Sequence, residues 1–202
     1  CSFPVDAAAY TKSETQPKAK YGTVQPRNLR QAQALPVRVH EPDFDAAGDP
    51  ALKSSAVLVI DQADGRQLYA KNTNAVQPIA SITKLMTAMV FLEQKPALDR
   101  YAEVTEAEMN GGGHTQLRNG EKVALGDRLH MSLMCSDNVA TRIVAREAGL
   151  KSDDFVARMN KKAVELGLTG SRFVEFTGLD ERNVSSAADV ARMLHAAHDQ
   201  CS

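Results

Sequence analysis

The sequence predicts an α+β fold, on three observations. A strand-rich hairpin signal comes early, several helical segments follow it, and strands and helices do not alternate as a parallel sheet requires. Little strand signal comes after the helices, so the sheet foreseen here is small.

Residues 1–50 read as an N-terminal extension or linker, and residues 51–202 as a single domain. Six of the chain's eight prolines (positions 4, 17, 26, 36, 42 and 50) fall in the first segment, with no sustained apolar period. Between Cys1 and His40 six basic residues stand against two acidic ones, which suits a solvated tail or one weakly drawn to an acidic polymer. Ordered structure is expected from Ser54. Ala56 to Ile60 is a short β-rich run, Asp64-Gly65 a turn, and Arg66 to Ala70 an alternating partner strand. After Pro78, residues 81–92 carry apolar side chains at 82, 85, 86, 89, 90 and 92. That spacing is helical, and the helix is apolar nearly all round, so it belongs at the centre of the core.

A strip around Val104 and the loop Gly111-Gly112-Gly113 come next. One helix is expected from near Asp127, a second from Asn138 to Glu147, and a third from Ser152 to Gly167 with Asp153 and Asp154 in its first turn. Arg172 to Glu175 has the composition of a short strand. Ser186 is placed to cap a last helix, with Asp189 three residues on and Val190, Met193, Leu194 and Ala197 on one face.

Composition narrows function mainly by exclusion. The 202 residues are 43% hydrophobic and 24% charged, with net charge -1 and a pI near 6.6. Nothing in that balance draws the chain to nucleic acid or anionic lipid. No apolar run reaches the ~18 residues of a membrane span, and no intact secretory leader is visible. Three cysteines, Cys1, Cys135 and Cys201, are too few and too scattered for a disulfide framework or a zinc site.

Chemistry gathers around two short motifs. Ser81 and Lys84 lie three apart at a helix start, hence on one face about one turn apart. A serine hydroxyl needs a base, and a lysine serves only if burial or a neighbouring cation lowers its pKa. The helix N-terminus also aims backbone N–H groups at a developing oxyanion. Alone the pattern is weak, because a capping serine and a solvated lysine would look the same. Ser136-Asp137-Asn138, 52 residues after Lys84, falls between two helices on a loop able to face the first one. Ser136 can relay a proton between Lys84 and a leaving amine, and Asn138 can bond a substrate amide and hold the lysine. Helix capping by Ser136 and Asp137 is compatible with both roles.

Residues 78–88 (Pro-Ile-Ala-Ser-Ile-Thr-Lys-Leu-Met-Thr-Ala) resemble the active-site helix of the low-molecular-mass penicillin-binding proteins, the serine D-Ala-D-Ala carboxypeptidases and endopeptidases. The likeness continues through residues 134–138, 159–163, 173–179 and 183–189, and covers about residues 54–198. It implies a β-lactamase/transpeptidase-like domain, in which helices cluster against an antiparallel sheet. It implies that Ser81 attacks a D-alanyl carbonyl, Lys84 is the base, Ser136 helps protonate the leaving amine and Asn138 binds substrate. Peptidoglycan peptides would be substrates and β-lactams covalent inhibitors, with no metal, organic cofactor or nucleic acid involved. The details lean slightly toward the endopeptidase branch. A cell-envelope or periplasmic site follows, with Cys1 as a candidate lipid anchor, although a processing boundary also explains a first-residue Cys.

One element of the family is absent from these residues. No Lys-Thr-Gly, Lys-Ser-Gly or His-Thr-Gly occurs. In the family that element lies on a later strand, binds the substrate carboxylate and completes the oxyanion hole. The expectation is therefore a fragment whose C-terminal sheet strands are carried elsewhere, on a C-terminal complement segment. A shortened homologue of impaired activity is the alternative. A β-lactamase, which would need an efficient deacylating base, and a non-catalytic peptidoglycan- or partner-binding homologue are the functional rivals. Phe176 stands where the family often has Pro, which bears on loop shape.

Among the remaining residues, His195 and His198 share a helical face without Glu or Cys partners and suit a helix-end surface. His114 is a loop histidine, Cys135 is expected to be small and buried, and Lys161 and Lys162 are expected on a solvated face.

Overall fold

The computed structural model describes residues 44, 48–113 and 115–201. Two compact units are distinguished, Cys1–Lys53 and Ser54–Ser202. In the first, the described residues include a bridge between Phe44 and Pro50. Cys1 and His114 lie outside the described residues.

In the second unit the expected hairpin forms. Strands β1 (Val57–Ile60) and β2 (Gln67–Lys71) pair antiparallel with Val57 opposite Lys71, and the register slips between Val59 and Ile60. Strand β3 (Gln77–Pro78) leads through a 3-10 turn (Ala80–Ile82) into helix α1 (Thr83–Glu93). Strand β4 (Tyr101–Glu103), short helix α2 (Glu106–Met109) and strand β5 (Lys122–Ala124) follow, with β4 antiparallel to β5. Helices α3 (Leu125–Met134), α4 (Asn138–Arg146) and α5 (Ser152–Glu165) come next. Strand β6 (Val184–Ser185) pairs with β3 and precedes helix α6 (Ala187–Cys201).

Helix α1 is the hub, packed against α3, α4, α5 and α6. Its apolar sequence explains that position, for Met86, Val90 and Phe91 are fully buried and Met89 nearly so. From the facing helices, Ile143 and Val144 of α4, Phe155 and Met159 of α5 and Met193 of α6 close the core around it. As expected, the Ser186 hydroxyl accepts from the Asp189 N–H at 3.2 Å.

Three expectations are corrected. Arg172 to Glu175 is not a strand: only Arg172 bridges to Val184, because the Asn183 side chain captures the Val174 and Glu175 N–H groups instead. Cys135 is exposed, since α3 ends at Met134 and the chain turns outward there. Lys162 is buried, its Nζ bonded to Glu93 Oε1 at 2.6 Å across the α1–α5 interface, so the solvated face includes Lys161 but not Lys162.

Candidate active site

The sequence placed Ser81 and Lys84 one turn apart, and the structure joins them. Lys84 Nζ lies 2.8 Å from Ser81 Oγ, even though Ser81 belongs to the 3-10 turn and Lys84 to the first turn of α1. The hydroxyl faces solvent while the lysine is 2% exposed. Burial lowers the Lys84 pKa from its ordinary value near 10.5, and the carboxylates of Glu175 and Asp137 oppose that fall. As an ammonium Lys84 donates to Ser81. Once deprotonated, its lone pair can take the serine proton along the same contact.

The second partner of the lysine was not legible in the sequence. Nζ donates to the Thr177 carbonyl at 2.8 Å, across a separation of 93 residues. Thr177 sits in a loop that folds as a knot around the Glu175 carboxylate. Glu175 Oε2 accepts from the Thr177 N–H and hydroxyl, both at 2.6 Å, and Oε1 accepts from the Gly178 N–H and from Asn183 Nδ2 at 2.8 Å. Fully buried Asn183 ties the knot to α1 through Thr83 Oγ1 at 3.2 Å. Phe176 keeps the loop docked: its carbonyl accepts from Thr87 Oγ1 at 2.7 Å, and its ring meets Phe155 edge-on with centroids 6.1 Å apart.

Gly178 is where the loop meets the Ser81 turn. Its φ is +87°, and a Cβ there would stand 1.9 Å from the Ala80 carbonyl oxygen and 2.9 Å from the Ser81 nitrogen. Only glycine combines that conformation with that approach. Ala80 itself has φ +45°.

The Ser136-Asp137-Asn138 segment forms the turn between α3 and α4, and both helices pack on α1. Asp137 caps α4, accepting from the Ala140 N–H at 2.9 Å, and takes a bond from Thr115 Oγ1 at 2.6 Å. Ser136 is exposed with φ +56°. The expectation that Asn138 holds the lysine is corrected: Lys84 bonds Ser81 and the Thr177 carbonyl, while Asn138 Oδ1 is buried with no hydrogen-bond partner among the described residues. Beside this turn the glycine loop is held by Arg142, which donates to the carbonyls of Glu108, Asn110 and Gly111 at 3.0, 2.6 and 3.1 Å. A Cβ at Gly112 would meet Val139 Cγ2 at 2.7 Å, so the loop lies flat on α4.

Outside this site, His195 pairs with Asp199 at 3.0 Å on an exposed stretch of α6. Among the described residues no group of three or more His, Cys, Asp or Glu side chains is placed to hold a metal ion.

A helix-cradled serine–lysine pair, with a second serine on an adjoining turn and short antiparallel sheets, defines the class: a β-lactamase/transpeptidase-like fold. A solved DD-transpeptidase from Streptomyces superposes with a TM-score of 0.70 at 24% identity, covering 75% of this chain and 63% of its own, which supports the fold. In sequence, the chain is 42% identical over 147 residues to a D-alanyl-D-alanine endopeptidase of Pseudomonas aeruginosa, covering 72% of this chain and 47% of that protein. A D-alanyl-D-alanine endopeptidase of Escherichia coli matches at 35% over 154 residues, covering 74% and 49%. The profile of the family described as D-alanyl-D-alanine carboxypeptidase matches residues 43–201, and the chain belongs to that family. It spans about half the length of these curated relatives.

Proposed function

We propose that this chain is a serine DD-peptidase that hydrolyses D-alanyl peptides of peptidoglycan through an acyl-enzyme on Ser81. One observation carries the reading: a buried lysine with a lowered pKa sits 2.8 Å from a solvent-facing serine hydroxyl. Ser81 Oγ attacks the carbonyl carbon as its proton passes to Lys84 Nζ. The tetrahedral intermediate then breaks its C–N bond, and the amine leaves with a proton delivered through Ser136. Water next attacks the ester and gives its proton to Lys84, and Ser81 Oγ is reprotonated as the acid departs. Asn138, whose Oδ1 has no hydrogen-bond partner among the described residues, is the candidate acceptor for a substrate amide N–H.

We further propose that the working enzyme includes a strand-forming C-terminal complement that carries the third family element. The relatives' greater length supports this, as does a cavity of about 740 Å³ between the hairpin and α6, lined by Leu58, Val59, Ile60, Ala191 and Leu194. Val59, Ile60 and Leu194 are 42, 40 and 56% exposed there, an apolar face suited to another strand. A peptidoglycan substrate implies a periplasmic or cell-envelope location for this reading, which fractionation checks.

The test of the activity is a fluorescent penicillin added to the native full-length protein, followed by peptide mapping. Stable label on Ser81, abolished by Ser81→Ala without loss of fold, is expected. Label on another residue overturns the assignment, rapid release of label indicates a β-lactamase, and no labelling indicates a binding homologue.

A further inference from the structure

The Glu175 carboxylate takes no part in the proposed chemistry, yet it sits at the heart of the loop that holds the lysine. Every hydrogen bond it makes in this structure is accepted, from the Thr177 N–H, the Thr177 hydroxyl, the Gly178 N–H and Asn183 Nδ2. Thr177 is the residue whose carbonyl receives Lys84 Nζ, and Gly178 is the residue pressed on the Ala80–Ser81 peptide. One side chain therefore fixes both the acceptor that aims the base and the strut behind the nucleophile.

We propose that Glu175 is a positioning residue for the Ser81–Lys84 pair, acting through the Thr177–Gly178 backbone that it holds and through its negative charge. This deepens the DD-peptidase reading and rests on it for its catalytic meaning, although its electrostatic content can be tested without activity.

The charge has a defined effect. Burial depresses the Lys84 pKa, and Glu175 is the larger of two carboxylate influences that push it back up; Asp137, at the start of α4, is the other. Both act on an amine that is 2% exposed, on a helix covered by α3, α4, α5 and α6. A base depressed too far would be mostly neutral but a poor proton acceptor, and one left at its ordinary value would stay protonated. Glu175 sets the lysine between those limits. The loop bonds make its placement rigid, since Asn183 Nδ2 also bonds the Glu175 carbonyl at 2.9 Å and Asn183 Oδ1 accepts its N–H at 3.3 Å.

Glu175→Gln in the full-length protein tests this, with Glu175→Asp as the second variant. The Lys84 pKa is read by competitive acetylation across pH, with the Lys84 peptide quantified by mass spectrometry, which requires no turnover. In folded Glu175→Gln the Lys84 pKa is expected to fall, because the charge that opposes the effect of burial is gone. In Glu175→Asp, with the charge withdrawn by one methylene, a smaller fall is expected, and this variant decides the matter if the first does not fold. The acid limb of the penicillin acylation rate should move to lower pH in step with the lysine. A loop that merely unravelled would lower the rate at every pH and leave the limb in place. A Lys84 that titrates as in the parent protein in a folded variant overturns the proposal. If wild-type Ser81 takes no penicillin label while the Lys84 shift persists, the DD-peptidase reading fails and the electrostatic role stands.

Discussion

Replacing Gly178 by alanine puts the contact between the loop and the Ser81 turn under direct strain. The new Cβ would begin 1.9 Å from the Ala80 oxygen, 2.3 Å from its carbon and 2.9 Å from the Ser81 nitrogen, where ordinary contact begins at 3.4 Å. All three are backbone atoms, so no side chain can swing away. Relief of 1.5 Å (3.4 minus 1.9) must come from the loop, the Ala80–Ser81 turn or both. The φ of +87° adds an intrinsic penalty of about 1–2 kcal/mol for an L-residue. A shift of that size is several times the tolerance of a catalytic pair, and a 1 Å misplacement can cost about 10²-fold in rate. Retreat of the loop also carries the Thr177 carbonyl from Lys84. Gly178→Ala is therefore expected to lower the second-order rate of Ser81 acylation by about 10²-fold. The melting transition should fall by several degrees, a loss on the order of 2 kcal/mol. Stopped-flow acylation by a fluorescent penicillin, with thermal unfolding followed by circular dichroism, measures both. A variant within about threefold of the parent rate and unchanged in Tm would show that this contact does not position the nucleophile.

Three further outcomes follow from the same geometry. Because the Lys84 pKa is lower in the folded protein than its ordinary 10.5, the unfolded chain binds more protons between those values, so stability rises with pH across that window. Lys84→Met should abolish both acylation and this contribution, which a series of Tm measurements across pH reveals as a flatter profile. In the parent, acylation should decline about tenfold per pH unit below the Lys84 pKa. Asn183→Ala would leave the part-buried Val174 and Glu175 N–H groups without their shared acceptor and is expected to destabilise by roughly 2–4 kcal/mol in urea unfolding. A loss under about 1 kcal/mol would show that water replaces the side chain.

The hairpin at Asp64-Gly65, the central apolar helix and the capped α6 were legible because each is written in local periodicity or turn chemistry. The Ser81–Lys84 pair was legible for the same reason, as a spacing of three on a helix start. The Glu175 knot was not, although residues 173–179 stood out in the family resemblance. Its working contacts join Lys84 to Thr177 and Thr83 to Asn183, separations of 93 and 100 residues that no local pattern encodes. Arg172 to Glu175 looked like a strand because its composition is β-like, but the Asn183 amide competed for the backbone donors and won. Lys162 misled in the opposite direction: charge suggests solvent, and only the fold reveals that Glu93 waits on α1.

Backbone strain shows how the two motifs are held in one site. Among the described residues, four that are not glycine have positive φ, and two of them, Ala80 and Ser136, lie in the site. One precedes the proposed nucleophile and the other is the proposed proton relay. Such conformations cost on the order of 1–3 kcal/mol each and persist only where the surroundings leave no alternative. At Ala80 the constraint comes from Gly178 pressed on its carbonyl and from the Thr83 N–H, which donates to the Ala80 and Ser81 oxygens. At Ser136 it comes from both sides of the residue. The Cys135 N–H and the Asp137 N–H both donate to the Met131 carbonyl, at 3.1 and 3.2 Å, while the Asp137 side chain starts α4. The chain must reverse within one residue, and the left-handed conformation lets Ser136 protrude toward solvent as it does so. The same packing that buries Lys84 thus forces two hydroxyls outward, which is the arrangement a buried base and an exposed substrate require.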